Sequence, residues 1–296
     1  MSSSSLPQDR ACGLLTSVTR RAHGWVIKTS GNSLFLATSD SLVILDISHP
    51  SEPVITGSFE CSPSDFAVVG STVYLLTTRN KLIMIDISDP YQPLEVAQTE
   101  VPAANASRIK IQDGYAFVSD SGCIWWPCPP QLLIFDVTNP MNPTLVSTTE
   151  TDGSRLDVSG RYAYLISSPG LWVIDISNHS EPSMTGSCDF DEPRPTQEVH
   201  YSAGHTYVTT YSEVIVFNVW NPTSPVQRGI VDFNTRIWNA VPGGGRLFVA
   251  EGTMGLRILE DCSVQPMENP QEFTTQQEKG AKGLSSKPST KTPSKP

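Results

Sequence analysis

A short segment recurs six times along the chain and limits its fold more than any other feature. Leu42-Val-Ile-Leu-Asp-Ile-Ser-His-Pro-Ser-Glu-Pro53 returns as Leu82-Ile-Met-Ile-Asp-Ile-Ser-Asp-Pro-Tyr-Gln-Pro93. Further copies lie at 132–136 with Pro140 and Pro143, at 171–175 with Pro182, at 214–218 with Pro222 and Pro225, and at 256–260. Their acidic or amide positions, Asp46, Asp86, Asp136, Asp175, Asn218 and Glu260, are separated by 40, 50, 39, 43 and 42 residues, close to the ~40–45 of a propeller blade. Within the second copy, apolar stretches at 65–69, 73–78, 82–87 and 94–99 are parted by Gly70-Ser71, Arg79-Asn80 and an Asp-Pro turn, which reads as a four-strand meander. Runs such as Leu82-Ile-Met-Ile are apolar on both faces, as when blades stack face to face.

The expected fold is all-β: a single six-bladed β-propeller of four-stranded blades over residues 13–262. Residues 1–12 are expected to form a flexible N-terminus. The Gln, Ser, Thr, Lys and Pro of 263–296 are expected to form a disordered tail, being too poor in apolar groups to order. The sixth copy supplies only three strands, at 236–241, 246–250 and 256–260, so residues 13–19 are expected to add the fourth as a Velcro closure. Cys12 and Cys262 then flank the last turn of that blade, where either a disulfide or two free thiols would fit.

The 296 residues carry 20 Lys+Arg against 30 Asp+Glu, a formal charge of −10, which argues against sequence-independent nucleic-acid binding. Apolar runs stop far short of the ~18 residues of a membrane span, and no leader pattern opens the chain, so a cytoplasmic location is expected. Six cysteines are too few for a disulfide-built fold, and their spacing does not suggest zinc. Nothing in the sequence decides between a monomer and a homo-oligomer.

The carboxylates of Asp46, Asp86, Asp136 and Asp175 precede Ser-x-Pro turns or their equivalents, where they can accept backbone N–H bonds; that role is preferred to a ring of calcium ligands. The innermost strands are more informative. Aligned, they place Lys28, Ala67, Lys110, Asp157, His200 and Ala240 in one row and Val26, Asp65, Arg108, Arg155, Glu198 and Trp238 two residues earlier. Alternation with apolar residues turns both rows toward the axis. Buried charges are expensive unless paired or wet. One reading is a salt-bridge girdle, Asp65 with Arg108 and Arg155 with Glu198. The other is a pocket in which Arg108, Lys110 and Arg155 hold an anionic or enolic oxygen while Asp157, Glu198 or His200 moves protons. In the pocket reading, Asp65 joins these cations as a substrate-binding residue, and Trp25, Trp238 and the Trp125-Trp126 loop cover an apolar partner. Cys123 and Cys128 can bridge that loop, and the stretch 189–195 is expected to frame the same opening. Glu198, Asp157 and Asn239 are the one set that a metal-dependent hydrolase could use.

The Leu-Val-Ile-Leu-Asp and Leu-Ile-Met-Ile-Asp segments, with Gly255-Leu-Arg-Ile-Leu and Tyr162-Ala-Tyr-Leu, resemble the LVIVD repeat, a family of β-propeller blades. Asn218, Glu260 and His179 depart from it at positions usually Asp, Asp and Pro. As one isolated propeller, the chain also resembles fungal hetero-Diels-Alderases of tropolone sesquiterpenoid biosynthesis. That resemblance implies a cyclase without metal or cofactor. It would dehydrate a hydroxymethyl tropolone to a quinone methide and add it to a humulene-type terpene, with Glu198 or His200 assisting the loss of water. The competing expectation is a non-catalytic propeller that presents its loops to a protein partner.

Overall fold

The computed structural model describes residues 26–123, 128–192, 194–252 and 255–260. Among them are twenty-three strands and no helix, so no helix is long and apolar enough to cross a membrane. The strands form six antiparallel sheets in chain order. Blade one is β1 (Val26–Ser30), β2 (Ser33–Ala37), β3 (Ser41–Asp46) and β4 (Val54–Glu60); blade two is β5 (Pro63–Val69), β6 (Thr72–Thr77), β7 (Lys81–Asp86) and β8 (Leu94–Glu100). Blade three is β9 (Ala106–Gln112), β10 (Tyr115–Asp120), β11 (Gln131–Asp136) and β12 (Thr144–Glu150), and blade four is β13 (Arg155–Ser159), β14 (Tyr162–Ile166), β15 (Gly170–Asp175) and β16 (Ser183–Asp189). Blade five is β17 (Thr196–Ser202), β18 (His205–Thr210), β19 (Glu213–Asn218) and β20 (Val226–Asp232). Blade six shows β21 (Ile237–Gly243), β22 (Arg246–Glu251) and β23 (Gly255–Glu260). The propeller ring expected from the repeat is therefore present. The Velcro segment 13–19, Cys12, Cys262 and the tail lie outside the described residues.

The core is divided into wedges between consecutive blades. Phe35, Ile44, Phe66 and Leu75 join blades one and two; Leu82, Met84, Ile109 and Val118 join two and three. Phe117, Ile134, Leu156 and Leu165 join three and four, Tyr164, Val173, Val199 and Phe217 join four and five, and Tyr207, Val214, Ile237 and Val249 join five and six. This arrangement explains the two-faced apolar runs: Leu82, Met84, Ile83 and Ile85 of β7 serve opposite wedges. Each such side chain contributes ~1.5–3 kcal/mol on burial.

The repeated carboxylates close turns, as expected. Asp46 accepts the N–H of Ser48 at 2.8 Å, Asp86 that of Ser88 at 2.8 Å, Asp136 that of Thr138 at 2.9 Å and Asp175 that of Ser177 at 2.9 Å. Asn218 does the same for Trp220 at 3.0 Å, because its amide oxygen can substitute for a carboxylate in this role. At the departure from proline, His179 keeps its turn and stacks on Tyr115 with ring centres 3.8 Å apart.

Strand direction alternates within each blade, so all six inner strands begin at one mouth of the channel. The turns joining second to third strands, and outer strands to the next blade, collect at that entry mouth. They include the loop closed by the Cys123–Cys128 disulfide, whose Cα atoms are 5.4 Å apart, within the usual range.

Candidate functional site

Backbone register fixes which side chains face the axis. The second strands carry an aromatic at one level, Phe35, Tyr74, Phe117, Tyr164, Tyr207 and Phe248, paired with Lys28, Ala67, Lys110, Asp157, His200 and Val241. Two residues nearer the entry mouth stand Val26, Asp65, Arg108, Arg155, Glu198 and Asn239. The first five blades agree with the sequence alignment, and the sixth is displaced by one residue. Asn239 and Val241, rather than Trp238 and Ala240, occupy the channel rows. The strand carries a β-bulge between Ile237 and Asn239. It leaves Trp238 as the extra residue, 53% exposed at the mouth, with the Arg236 guanidinium 3.9 Å from its ring centre. Equivalent bulges precede Asp65, Arg108 and Glu198, and such bulges re-aim the following side chain.

The pairing differs from the expected girdle. Asp65 is 3% exposed and joins three blades: it accepts Lys28 Nζ at 2.9 Å, the Phe66 N–H at 2.8 Å and the Ile109 N–H at 3.0 Å. Asp157 accepts Lys110 Nζ at 2.8 Å and the Tyr201 N–H at 2.6 Å. Glu198 is held by Arg108, with Nε at 3.0 and 3.3 Å and a further contact from Nη2, reaching from blade five to blade three past blade four. Arg155 in between is left over. Among the described residues its guanidinium has no ion pair, and its Nε is buried with no hydrogen-bond acceptor. Neighbour-to-neighbour pairing fails because a long Arg side chain spans a whole blade, whereas Asp65 and Asp157 are pinned by backbone N–H groups.

The electrostatics follow from this arrangement. Burial depresses the Arg155 pKa, the nearby Arg108 charge adds to the depression, and Glu198 only partly offsets it. Burial also opposes the charge of Arg108, but attraction and hydrogen bonding from Glu198, with help from Asp65, more than compensate. His200 is pushed below its ordinary value, first by burial and then by Lys110, so its neutral form prevails at pH 7. Asn239 Oδ1 accepts the Ala240 N–H at 2.8 Å and lies 3.0 Å from His200 Nε2. An amide oxygen only accepts, so Nε2 carries the proton of the neutral ring and Nδ1 keeps the acceptor lone pair.

A stability prediction follows. The folded His200 has a lower pKa than the unfolded one, so below the ordinary value near ~6.5 the unfolded chain takes up a proton that the folded chain refuses. The contribution is complete above that pH and is lost as pH falls through it toward the folded value. Urea midpoints from pH 8 to 5 should decline more steeply for the wild-type chain than for His200→Gln; parallel curves would show that this imidazole is not held neutral.

Of the sequence-predicted residues, the channel gathers Asp65, Arg108, Lys110, Arg155, Asp157, Glu198 and His200. Trp238 stands at the rim, and Trp25, Trp125 and Trp126 lie outside the described residues. Asn239 was missed as a ring member, although the aromatic ladder of the second strands would have revealed the shift. No cluster of His, Cys, Asp and Glu among the described residues has the arrangement of a metal site. Asp157 and Asn239, two of the three groups a metal-dependent hydrolase would need, are engaged with backbone N–H donors instead. A surface groove lined by Asn32, Asp46, Ser48 and Tyr91 lies at the other end of the ring, where Asp46 already caps its turn.

The LVIVD repeat profile matches residues 23–61, 62–100, 103–151 and 152–190, more than half of the chain. The chain belongs to the LVIVD-repeat family. The LVIVD matches end before blade five, so Glu198, His200 and Asn239 come from the blades least like the repeat. No curated protein matches the sequence. Among solved structures, the LVIVD propeller is similar to a functionally unknown protein from Desulfotomaculum acetoxidans, at 12% identity over 82% of this chain and 84% of that one, with a TM-score of 0.68. It is similar to a chain of the mitotic checkpoint complex at 8% identity over 83% and 79%, with a TM-score of 0.66. BamB from Moraxella catarrhalis aligns at 13% identity over 79% and 71%, with a TM-score of 0.58. At these identities the likeness is one of fold.

Proposed function

We propose that the channel is a cofactor-free catalytic pocket for a small enolic substrate, and that the chain is a cyclase of the kind implied by its resemblance to hetero-Diels-Alderases. The supporting observation is Arg155, a guanidinium without an ion pair in a channel where the described residues place four cations, Lys28, Arg108, Lys110 and Arg155, against three carboxylates, Asp65, Asp157 and Glu198. A purely structural girdle gains nothing from an unpaired, partly buried cation, whereas a site for an anionic oxygen requires one.

The residue roles differ from those expected from sequence. Glu198 is engaged with Arg108, and neutral His200 is better suited to accept a proton than to supply one. In the proposed reaction, His200 Nδ1 takes the ring hydroxyl proton of a hydroxymethyl tropolone while Arg155 holds the resulting enolate oxygen. The imidazolium then returns that proton to the hydroxymethyl oxygen as its C–O bond breaks. Water leaves, His200 is neutral again, and the quinone methide adds across an alkene of the terpene to close a dihydropyran. Holding two reactants together contributes up to ~7–11 kcal/mol in favourable intramolecular cases.

The test is incubation of the full chain, or of Arg155→Met shown to be folded, with a hydroxymethyl tropolone and humulene, followed by mass spectrometry. The wild-type chain should give a product with the mass of both substrates minus water, and Arg155→Met should make it at least tenfold more slowly. No product from the wild-type chain overturns the reaction. The second reading, a propeller that binds a protein partner, is favoured by the fold likeness to a chain from the mitotic checkpoint complex. It would gain if Arg155→Met left every function of the chain intact.

A further inference from the structure

The three ion pairs of the channel are not equivalent. Asp65 and Asp157 each accept a backbone N–H from the following blade, Ile109 and Tyr201, so those carboxylates cannot leave without orphaning a strand donor. Glu198 has no such tie: among the described residues its carboxylate hydrogen-bonds only to the Arg108 guanidinium. The pair is also reachable, with side-chain exposures of 23% for Arg108 and 24% for Glu198, in the row nearest the entry mouth. Between its two ends lies the blade that carries unpartnered Arg155, which is repelled by Arg108 and attracted by Glu198. One carboxylate without a backbone tie therefore stands before two guanidinium groups and pairs with one.

We propose that Arg108 and Arg155 form a two-guanidinium oxyanion site whose resident occupant is Glu198, and that a ligand carboxylate or enolate binds by displacing it. Two planar guanidinium forks match an anion with paired oxygens, and Glu198 has that geometry. An incoming anion supplies the charge that Arg155 lacks. Glu198 is freed toward the mouth, where part of its side chain already meets solvent. Glu198 is thus an internal competitor that tunes affinity rather than a proton donor. This inference deepens the pocket reading and rests on it for the direction of ligand entry, but its test needs no turnover.

Truncating Glu198 to alanine empties a space the size of a small carboxylate, so acetate is the probe. Melting temperatures of the wild-type chain, Glu198→Ala and Glu198→Ala/Arg155→Met would be followed at pH 8 against sodium acetate and against sodium chloride of equal ionic strength. Glu198→Ala should melt below the wild-type chain, and acetate should raise its melting temperature saturably while chloride does not. Half-saturation should require at least tenfold more acetate in the wild-type chain, where Glu198 competes, and at least tenfold more in the double variant, which has lost one fork. If Glu198→Ala does not fold, Glu198→Gln keeps the side-chain volume, and its acetate response should again exceed that of the wild-type chain. Equal responses to acetate and chloride in the Glu198 variant, or equal acetate responses in variant and wild type, would overturn the proposal. Acetate rescue without cyclase product would support this site and overturn the reaction, whereas product without rescue would do the reverse.

Discussion

Replacing Asp65 by alanine is expected to cost ~3–5 kcal/mol of folding stability, the range found when one partner of a buried ion pair is removed. Three separate losses make up that figure. The Ile109 N–H, on a fully buried residue of the next blade, loses its acceptor, and an orphaned buried donor costs ~1–3 kcal/mol. The Phe66 N–H loses its acceptor as well. Lys28 loses the carboxylate at 2.9 Å, a smaller effect because its side chain is 32% exposed and solvent screens it. Domains are stable by only ~5–15 kcal/mol, so the variant should melt at least several degrees lower and unfold at markedly lower urea. Asp65→Asn keeps one acceptor oxygen and should fall between the two. Urea unfolding followed by tryptophan fluorescence measures the difference; a midpoint for Asp65→Ala within ~1 kcal/mol of the wild-type value would show that this carboxylate does not join the blades.

What could be read from the sequence follows from what periodicity encodes. The recurrence of Leu-Val-Ile-Leu-Asp and its turn prolines gave blade number and strand order, with the strand ends of blade two one or two residues from those expected, because each blade must bury the same two faces and close the same turn. Alternation along the inner strands identified the axis-facing residues of blades one to five. It failed in blade six, where the row was placed one residue early, on Trp238 instead of Asn239, and the register of Val241 against Phe248 exposes the shift. Alternation also says which way a side chain leaves the backbone, not how far it reaches. Arg108 therefore crosses to Glu198 instead of joining Asp65, and Arg155 is left without a partner, which no count of charges along the strands could show. The tautomer of His200 was equally hidden, since it depends on Asn239 accepting its own strand's next N–H.

A second large effect is expected at a position that drew no attention in the sequence. Opposite the middle of the third strands of blades one to five, the outer strand carries Gly57, Ala97, Ser147, Gly186 or Gly229, all small, and at Gly57, Ser147 and Gly186 the turn of the next blade rests there. A Cβ on Gly57 would overlap the Pro90 carbonyl, and one on Gly186 would overlap the Pro222 carbonyl and press on Thr223. At Ser147 the same approach becomes a hydrogen bond, its hydroxyl donating to the His179 carbonyl at 2.6 Å. Gly186→Val should destabilise by ~2–4 kcal/mol, at or above the usual ~1–3 kcal/mol of overpacking, because backbone rather than a flexible side-chain end must yield. Gly229→Val provides the control. It holds the same place in blade five, yet nothing among the described residues comes within 4 Å of a Cβ there. Losing glycine's freedom in the unfolded chain is worth ~0.4–1 kcal/mol, and valine suits a strand, so this variant should match or slightly exceed the wild-type stability. A urea midpoint lowered in Gly186→Val and unchanged in Gly229→Val would trace the effect to the turn of the next blade. Equal losses in both would mean that the outer strands need glycine for a reason other than the approach of that turn.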